Sequence, residues 1–330
     1  MIMFDRERLF SEQGVREPFH DEALLKLLWG ERWGLRHPTG TLKKVLVHRP
    51  GREILELHRK RYEVEAGSLL LKNVAGRMIS SNGRGQPDLE LVQKQHDQLV
   101  EALRAEGVEI VYLEGGSHLL PDRLYTRDLG MVVPGGIIMG RFALYLRLGE
   151  TRFAVETLTR LGMPILGLIQ GNAFAEGGSF SMIHDNLAVV GRSERFNQAG
   201  IEQLRNILDI HHIELLAVDL PAGKIHLDEA FMMLDRDKAL INRDLLPYWF
   251  LTHLQDLGIQ LIHVDPEDPL LTINCLAVRP GRVIFPASGV RTSKLLQENG
   301  VEVVPVDVSE MYKMGGGIHC MTLPLIRLDN

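Results

Sequence analysis

Five polar positions with the residue types of a covalent catalyst, Asp128, Glu176, His226, Asn274 and Cys320, recur at intervals of 48, 50, 48 and 46 residues. A cysteine supplies a nucleophile once deprotonated, a histidine carries protons near neutral pH, and carboxylates orient the histidine or hold a cation. Cys320 follows Gly315-Gly316-Gly317-Ile318-His319, a run in which bare backbone can approach a ligand and amide groups can support a thiolate. His226-Leu227-Asp228 puts an imidazole and a carboxylate on one face of an extended segment. Glu176-Gly177-Gly178 and Tyr125-Thr126-Arg127-Asp128 add two more carboxylates. Three carboxylates around one Cys and one His describe a site that binds a cation and attacks it. Carboxylate oxygens match a planar guanidinium, and a bound cation favours thiolate over thiol.

A free cysteine is more often a small buried hydrophobe, and Cys275, inside the apolar run Cys275 to Val278, is read that way. His226, Asp228, His319 and Cys320 lack the paired spacing of a zinc site, so neither a metal nor any other cofactor is expected.

Each of the five positions opens the same local pattern, two short apolar runs around a turn. The runs are Met131 to Val133 with Ile137 to Met139, Ser181 to Ile183 with Leu187 to Val190, Phe231 to Leu234 with Ala239 to Ile241, and Leu276 to Val278 with Val283 to Phe285; Met321 to Leu325 follows Cys320. Such runs read as hairpins, and a period near 50 residues marks a repeat architecture. If the repeats close into a ring, the five positions face one centre. Between hairpins, Leu89, Val92, His96, Leu99 and Leu103 form a helical stripe after Pro87-Asp88, and Asn197 caps a second helix. Asp244 to Leu257 and Thr292 to Asn299 read as two more. Residues 1–40 are expected to be an extension packed on the ring through Trp29 and Trp33, and 41–330 one catalytic domain. Asn73 to Pro87, rich in Gly, Ser and Asn, reads as a long loop and a candidate lid.

Lys plus Arg at 37 against Asp plus Glu at 43 gives a net charge of −6 over 330 residues, with no basic run, so no nucleic-acid partner is expected. No apolar stretch is long enough to span a membrane. Asp5, Arg6, Glu7 and Arg8 stand where a signal peptide would be apolar, so the expectation is a cytoplasmic protein without membrane partners. Two cysteines do not make a disulfide framework. Self-association is compatible with the sequence.

The ordered set Tyr-Thr-Arg-Asp (125–128), Glu-Gly-Gly (176–178), His-Leu-Asp (226–228), Asn274-Cys275-Leu276-Ala277 and Gly-Gly-Gly-Ile-His-Cys-Met-Thr (315–322) resembles the guanidino-group-modifying superfamily of arginine deiminase, dimethylarginine dimethylaminohydrolase and the amidinotransferases. The resemblance runs from about residue 42 to the end. It implies an α/β fold, the five-bladed pentein alpha/beta propeller of ββαβ repeats, and a small guanidino substrate. It also implies roles: Cys320 as nucleophile, His226 as general acid and base, Glu176 as support for His226, and Asp128 and Asp228 as the guanidinium clamp. Arg147 and Arg195 match arginines that hold a substrate carboxylate. Asp122 stands where arginine deiminase has an Asn, and Ser179 where an Asp often follows Glu-Gly-Gly, which leaves the distal substrate group open. The implied activity is hydrolysis of arginine or an N-substituted arginine through a thiouronium intermediate. The alternatives are amidino transfer to an amine, and a non-catalytic pentein binding protein.

Overall fold

A computed structural model describes residues 22–58, 63–65, 68–72, 78–82, 87–116 and 120–329. The hairpin-helix-strand unit is present four times in unbroken form. The strands β6 (Gly130–Val133), β7 (Gly136–Met139) and β8 (Ile165–Leu168) enclose helix α3 (Glu150–Leu161) in sequence. The next unit is β9 (Phe180–His184), β10 (Leu187–Arg192), α4 (Gln198–Ile210) and β11 (Glu214–Asp219). Then come β12 (Phe231–Met233), β13 (Lys238–Ile241), α5 (Tyr248–Asp256) and β14 (Gln260–His263), followed by β15 (Leu276–Arg279), β16 (Arg282–Pro286), α6 (Val290–Glu298) and β17 (Glu302–Val306). In each sheet the hairpin is antiparallel, and the strand after the helix returns parallel to the middle strand.

The fifth unit joins the two ends of the chain. The last strand, β18 (Leu323–Leu328), pairs antiparallel with β1 (Thr41–Val47), which pairs parallel with β5 (Glu109–Tyr112) after helix α2 (Leu89–Ala105). The ring is thus closed by hydrogen bonds between the two ends of the chain, as the spacing suggests, and it is the five-bladed α/β propeller that the resemblance implies. The α-helices pack on the strands that return parallel, α2 on β5, α4 on β11, α5 on β14 and α6 on β17. In α2 the Asp88 carboxylate accepts from the Leu91 N–H, while Val92, His96, Leu99 and Leu103 face inward. In α5, Phe250 meets Phe231 of β12 edge-on, with ring centroids 5.5 Å apart.

Several expectations change. Helix α3 had no counterpart in the sequence reading. Helix α5 begins at Tyr248 rather than Asp244 because Pro247 holds the extended N-cap conformation ahead of it. The stretch read as a loop from Asn73 contains strand β4 (Met78–Asn82), third in an antiparallel sheet with β2 (Glu63–Glu65) and β3 (Ser68–Lys72); ladder hydrogen bonds form there without an apolar period to announce them. The remainder of that stretch up to residue 86 lies outside the described residues, as does most of 1–40. In what is described of the amino-terminal segment, helix α1 (Glu22–Trp29) leads to Trp33, which is buried, whereas Trp29 is 39% exposed and contributes its carbonyl to the Trp33 indole N–H. Gly34 fastens the segment to β18 by exchanging backbone hydrogen bonds with Leu325 and Arg327. Among the described residues no helix is long and apolar enough to cross a membrane.

Candidate active site

All five recurring residues sit on the turn immediately before the innermost strand of a blade. Asp128 lies in the tight helical turn Thr126–Leu129 ahead of β6; Glu176 and His226 precede the turns Gly177–Ser179 and Leu227–Glu229 ahead of β9 and β12. Asn274 and Cys320 precede β15 and β18. Side chains from adjacent turns therefore meet at the axis. Glycine is needed there for space: a Cβ at Gly178 would lie 2.7 Å from Asp128 Oδ1 and 2.8 Å from His226 Nδ1.

His226 Nε2 donates to Glu176 Oε2 at 2.8 Å, and His226 Nδ1 lies 3.6 Å from Asp128 Oδ1. Glu176 Oε1 accepts from the Ala143 N–H at 3.1 Å, and its Oε2 is 3.4 Å from Arg195 Nη1. Burial alone would lower the His226 pKa, but the surrounding charges of Asp128, Glu176 and Asp228 reverse this and raise it to about 9. Burial pushes the Glu176 carboxyl up, yet His226 and Arg195 hold it below the usual carboxylate range. Asp128 Oδ1 accepts from the Gly178 N–H at 3.1 Å, and its Oδ2 takes Arg147 Nη1 at 2.6 Å. Arg147 is also clamped by both oxygens of Glu150, at 3.0 and 2.9 Å.

On the other side of the site, Asn274 grips Cys320 twice. Its Oδ1 accepts the Cys320 N–H at 3.1 Å and its Nδ2 donates to Sγ at 3.2 Å. Asp228 Oδ2 accepts from His319 Nδ1 at 2.7 Å and lies 3.5 Å from Cys320 Sγ, while Asp228 Oδ1 is buried without a hydrogen-bond partner. Burial, then Asp228 and Asp128, push the Cys320 thiol well above its ordinary pKa; the Gly317 N–H and Asn274 amide pull the other way without prevailing. Cys275 is fully buried in the apolar core, and its thiol is pushed up to about 12 by burial.

A cavity of about 350 Å³ opens onto this centre, lined by Asp122, Asp128, Arg147, Arg195, His226 and Cys320 among others. Glu176 stands behind His226 and Asp228 beside Cys320. The residues singled out in the sequence are therefore assembled in one place, but two of them are engaged differently from expectation. Arg147 and Arg195 face the cavity with their guanidinium groups on Asp128 and Glu176. Arg147 thus occupies the carboxylate read as half of the guanidinium clamp. Three contributors had no assigned role in the sequence reading. Asn274 and Tyr125 stand in the sequence only within the recurrence or the quoted motifs, and the Tyr125 hydroxyl is buried without a partner among the described residues; Glu150 gives no local signal because its importance depends on Arg147 packing beside it. Asp128, Glu176 and His226 also place three potential ligand atoms within 4.8 Å of one another, although both carboxylates already have arginine partners.

The sequence model of the N,N dimethylarginine dimethylhydrolase family, eukaryotic, matches residues 80–327. An uncharacterized protein of Bacillus subtilis, YkgA, is 30% identical over 71% of this chain and 79% of its own length. The N(G),N(G)-dimethylarginine dimethylaminohydrolase of Pseudomonas aeruginosa is 29% identical over 74% of this chain and 92% of its own. A solved structure of a Pseudomonas aeruginosa dimethylarginine dimethylaminohydrolase, a Cys-to-Ser mutant complexed with citrulline, superposes with a TM-score of 0.70 at 25% identity, covering 86% of this chain and 99% of the other. With the propeller and this match over most of the sequence, the chain belongs to the dimethylarginine dimethylhydrolase family, within the guanidino-group-modifying superfamily of pentein fold.

Proposed function

We propose that the chain hydrolyses the guanidino group of arginine or an N-substituted arginine by covalent catalysis at Cys320. Family membership makes it a hydrolase acting on guanidino C–N bonds; the covalent route, the residue roles and the products are the proposal. The observation that carries it is the opening of Cys320 and His226 onto one cavity with carboxylates on both sides. Asp228 Oδ1 has an unused lone pair for a substrate N–H, and Asp128 already binds a guanidinium, that of Arg147. A substrate guanidinium would replace Arg147 on Asp128. Its positive charge, set between Asp128 and Asp228, offsets the two carboxylates that keep the thiol protonated, so the thiolate forms when the substrate is present.

The Cys320 thiolate then adds to the guanidino carbon. His226, protonated and supported by Glu176, gives its proton to the departing nitrogen, which leaves as ammonia or an alkylamine, and a thiouronium remains on sulfur. Neutral His226 next takes a proton from water as the water adds to the same carbon. Collapse expels the Cys320 sulfur and leaves a ureido product. Asn274 holds Sγ in line through its paired contacts with the backbone and the sulfur.

The test is incubation with arginine and with methylated arginines, with products read by mass. Turnover in water alone to a citrulline-like product, an acid-quenched adduct on the Cys320 peptide, and loss of turnover with retained binding in Cys320→Ser are expected. An adduct on Cys275, or substantial turnover by Cys320→Ser, would end the proposal. Turnover only with an added amine would replace hydrolysis by amidino transfer.

A further inference from the structure

Further along the inner strands, beyond the turns that carry Asp128 and Cys320, lies a second, small pocket. Its walls are apolar residues of the inner strands, Val132, Met182 and Met232 among them, and Leu35 of the amino-terminal segment also borders it. Its polar lining includes Arg127, His319 and Arg327, and no carboxylate lines it among the described residues. Neighbouring residues here serve opposite chambers: Asp128 and Cys320 line the catalytic cavity, while the residues just before them, Arg127 and His319, line this one.

The two arginines are poorly compensated. Arg127 makes no side-chain hydrogen bond or ion pair among the described residues, and its Nε is buried without a partner. Arg327 gives Nη1 to the Gly40 carbonyl at 2.7 Å, but its Nε is likewise buried and unpartnered. Burial depresses Arg127 to about 10 and, with the repulsion of Arg127 added, Arg327 to about 9. Arginine does not surrender its proton inside a protein, so the surroundings must supply the counter-charge. Asp228 helps Arg127 from the catalytic side but is committed to His319. Asp329, whose charge acts on Arg327, is shared with Arg236 at 3.5 Å.

We propose that this basal chamber binds a small monoanion, a halide or a short carboxylate, between the guanidinium groups of Arg127 and Arg327. One negative charge suits the site better than two, because desolvation cost rises steeply with charge and the walls are apolar. A carboxylate would pair with the guanidinium forks, and its apolar body would rest on the methionines.

Crystals of the full chain soaked in sodium bromide test this directly. An anomalous peak between Arg127 and Arg327 is expected, and acetate at equal concentration distinguishes the two sources: displacement of bromide marks a carboxylate as the better occupant, retention marks a halide. Bromide found elsewhere but not between these arginines overturns the proposal. In solution, chloride replacing sulfate at constant ionic strength should raise Tm by about 2 °C more in the native chain than in Arg327→Met. In Arg195→Met, on the catalytic side, the gain should match the native chain. An equal gain in Arg327→Met also overturns the proposal. Should that variant fail to fold, the bromide map of the native chain decides alone. None of these readings uses turnover, so they stand or fall separately from the hydrolase mechanism.

Discussion

A thiol that resists ionisation next to an imidazole that holds its proton is a resting state that waits for a cation. The neighbouring carboxylates hold a proton on both groups, which keeps the thiol neutral and the imidazole charged. Asp128 and Asp228 push the Cys320 thiol up, and with Glu176 they carry His226 to about 9 against its burial. A proton therefore rests on His226 before any ligand arrives, and in the proposed mechanism it is the one given to the leaving amine. The checking measurement is an NMR titration of the His226 ring in Cys320→Ser, where the thiol cannot interfere; a midpoint close to 9 is expected, and one near the ordinary 6.5 would remove His226 as the resting acid. At this scale the grouping was legible in the sequence, since residue type and spacing single out Asp128, Glu176, His226, Asp228 and Cys320, and the fold brings these side chains together. What was not legible was which charges satisfy one another without ligand. The pairing of Arg147 with Asp128 and Glu150 depends on the loop before α3, and no local pattern encodes it.

The catalytic turns need small residues for two different reasons, and substitution separates them. Gly178 lies against the Asp128 carboxylate and the His226 ring, so Gly178→Ala should push both groups aside while its backbone, with no positive φ, stays unstrained. Turnover should fall by about 100-fold, the scale set by small misplacements of reacting groups, with little change in melting. Gly223 is the converse. It has φ +83° and nothing within 4 Å of a built Cβ, so Gly223→Ala should cost about 1 kcal/mol of stability and leave turnover intact. Equal activity losses in the two variants, measured with parallel urea unfolding, would show that the site is not set by contact at Gly178. The elements themselves were mostly readable, because hairpins and α2 or α4 carry clean periods and caps. Helix α3 is hard to read from sequence because its fully buried positions, Glu150, Ala154, Thr157 and Leu158, include only two apolar residues, while Phe153, Val155 and Leu161 are only partly buried beside them. Strand β4 was missed because Ser and Asn can fill a ladder whose partner supplies the pairing.

At the scale of the whole molecule, closing the ring buries histidines in two opposed charge environments, and this sets a stability optimum. His96 is fully buried on the inner face of α2 with neither ring nitrogen hydrogen-bonded; His319 lies between Arg127 and Asp228. Burial lowers both to about 4, with repulsion from Arg127 added at His319. Groups lowered in the fold contribute stability that is complete above the unfolded value near 6.5 and is lost as pH falls toward 4. His226 is raised, so its contribution is complete below 6.5 and is lost as pH rises through about 9. Both contributions are whole only near neutrality, and stability should decline on either side. Of the groups behind the acid decline, His96 can be tested by itself because it has no part in the site. On linkage grounds it accounts for on the order of 3 kcal/mol between pH 6.5 and 4. His96→Leu keeps the volume roughly, removes two unpartnered polar atoms, and should leave stability at pH 7 unchanged or raised. Urea unfolding at a series of pH values should then show a shallower acid slope in His96→Leu, by about one proton, with the alkaline slope as in the native chain. If the acid slopes coincide, His96 takes up no proton on unfolding, and the acid sensitivity has to be assigned to His319 and to His37, which burial and the charges of Arg236 and Arg327 also lower to about 4.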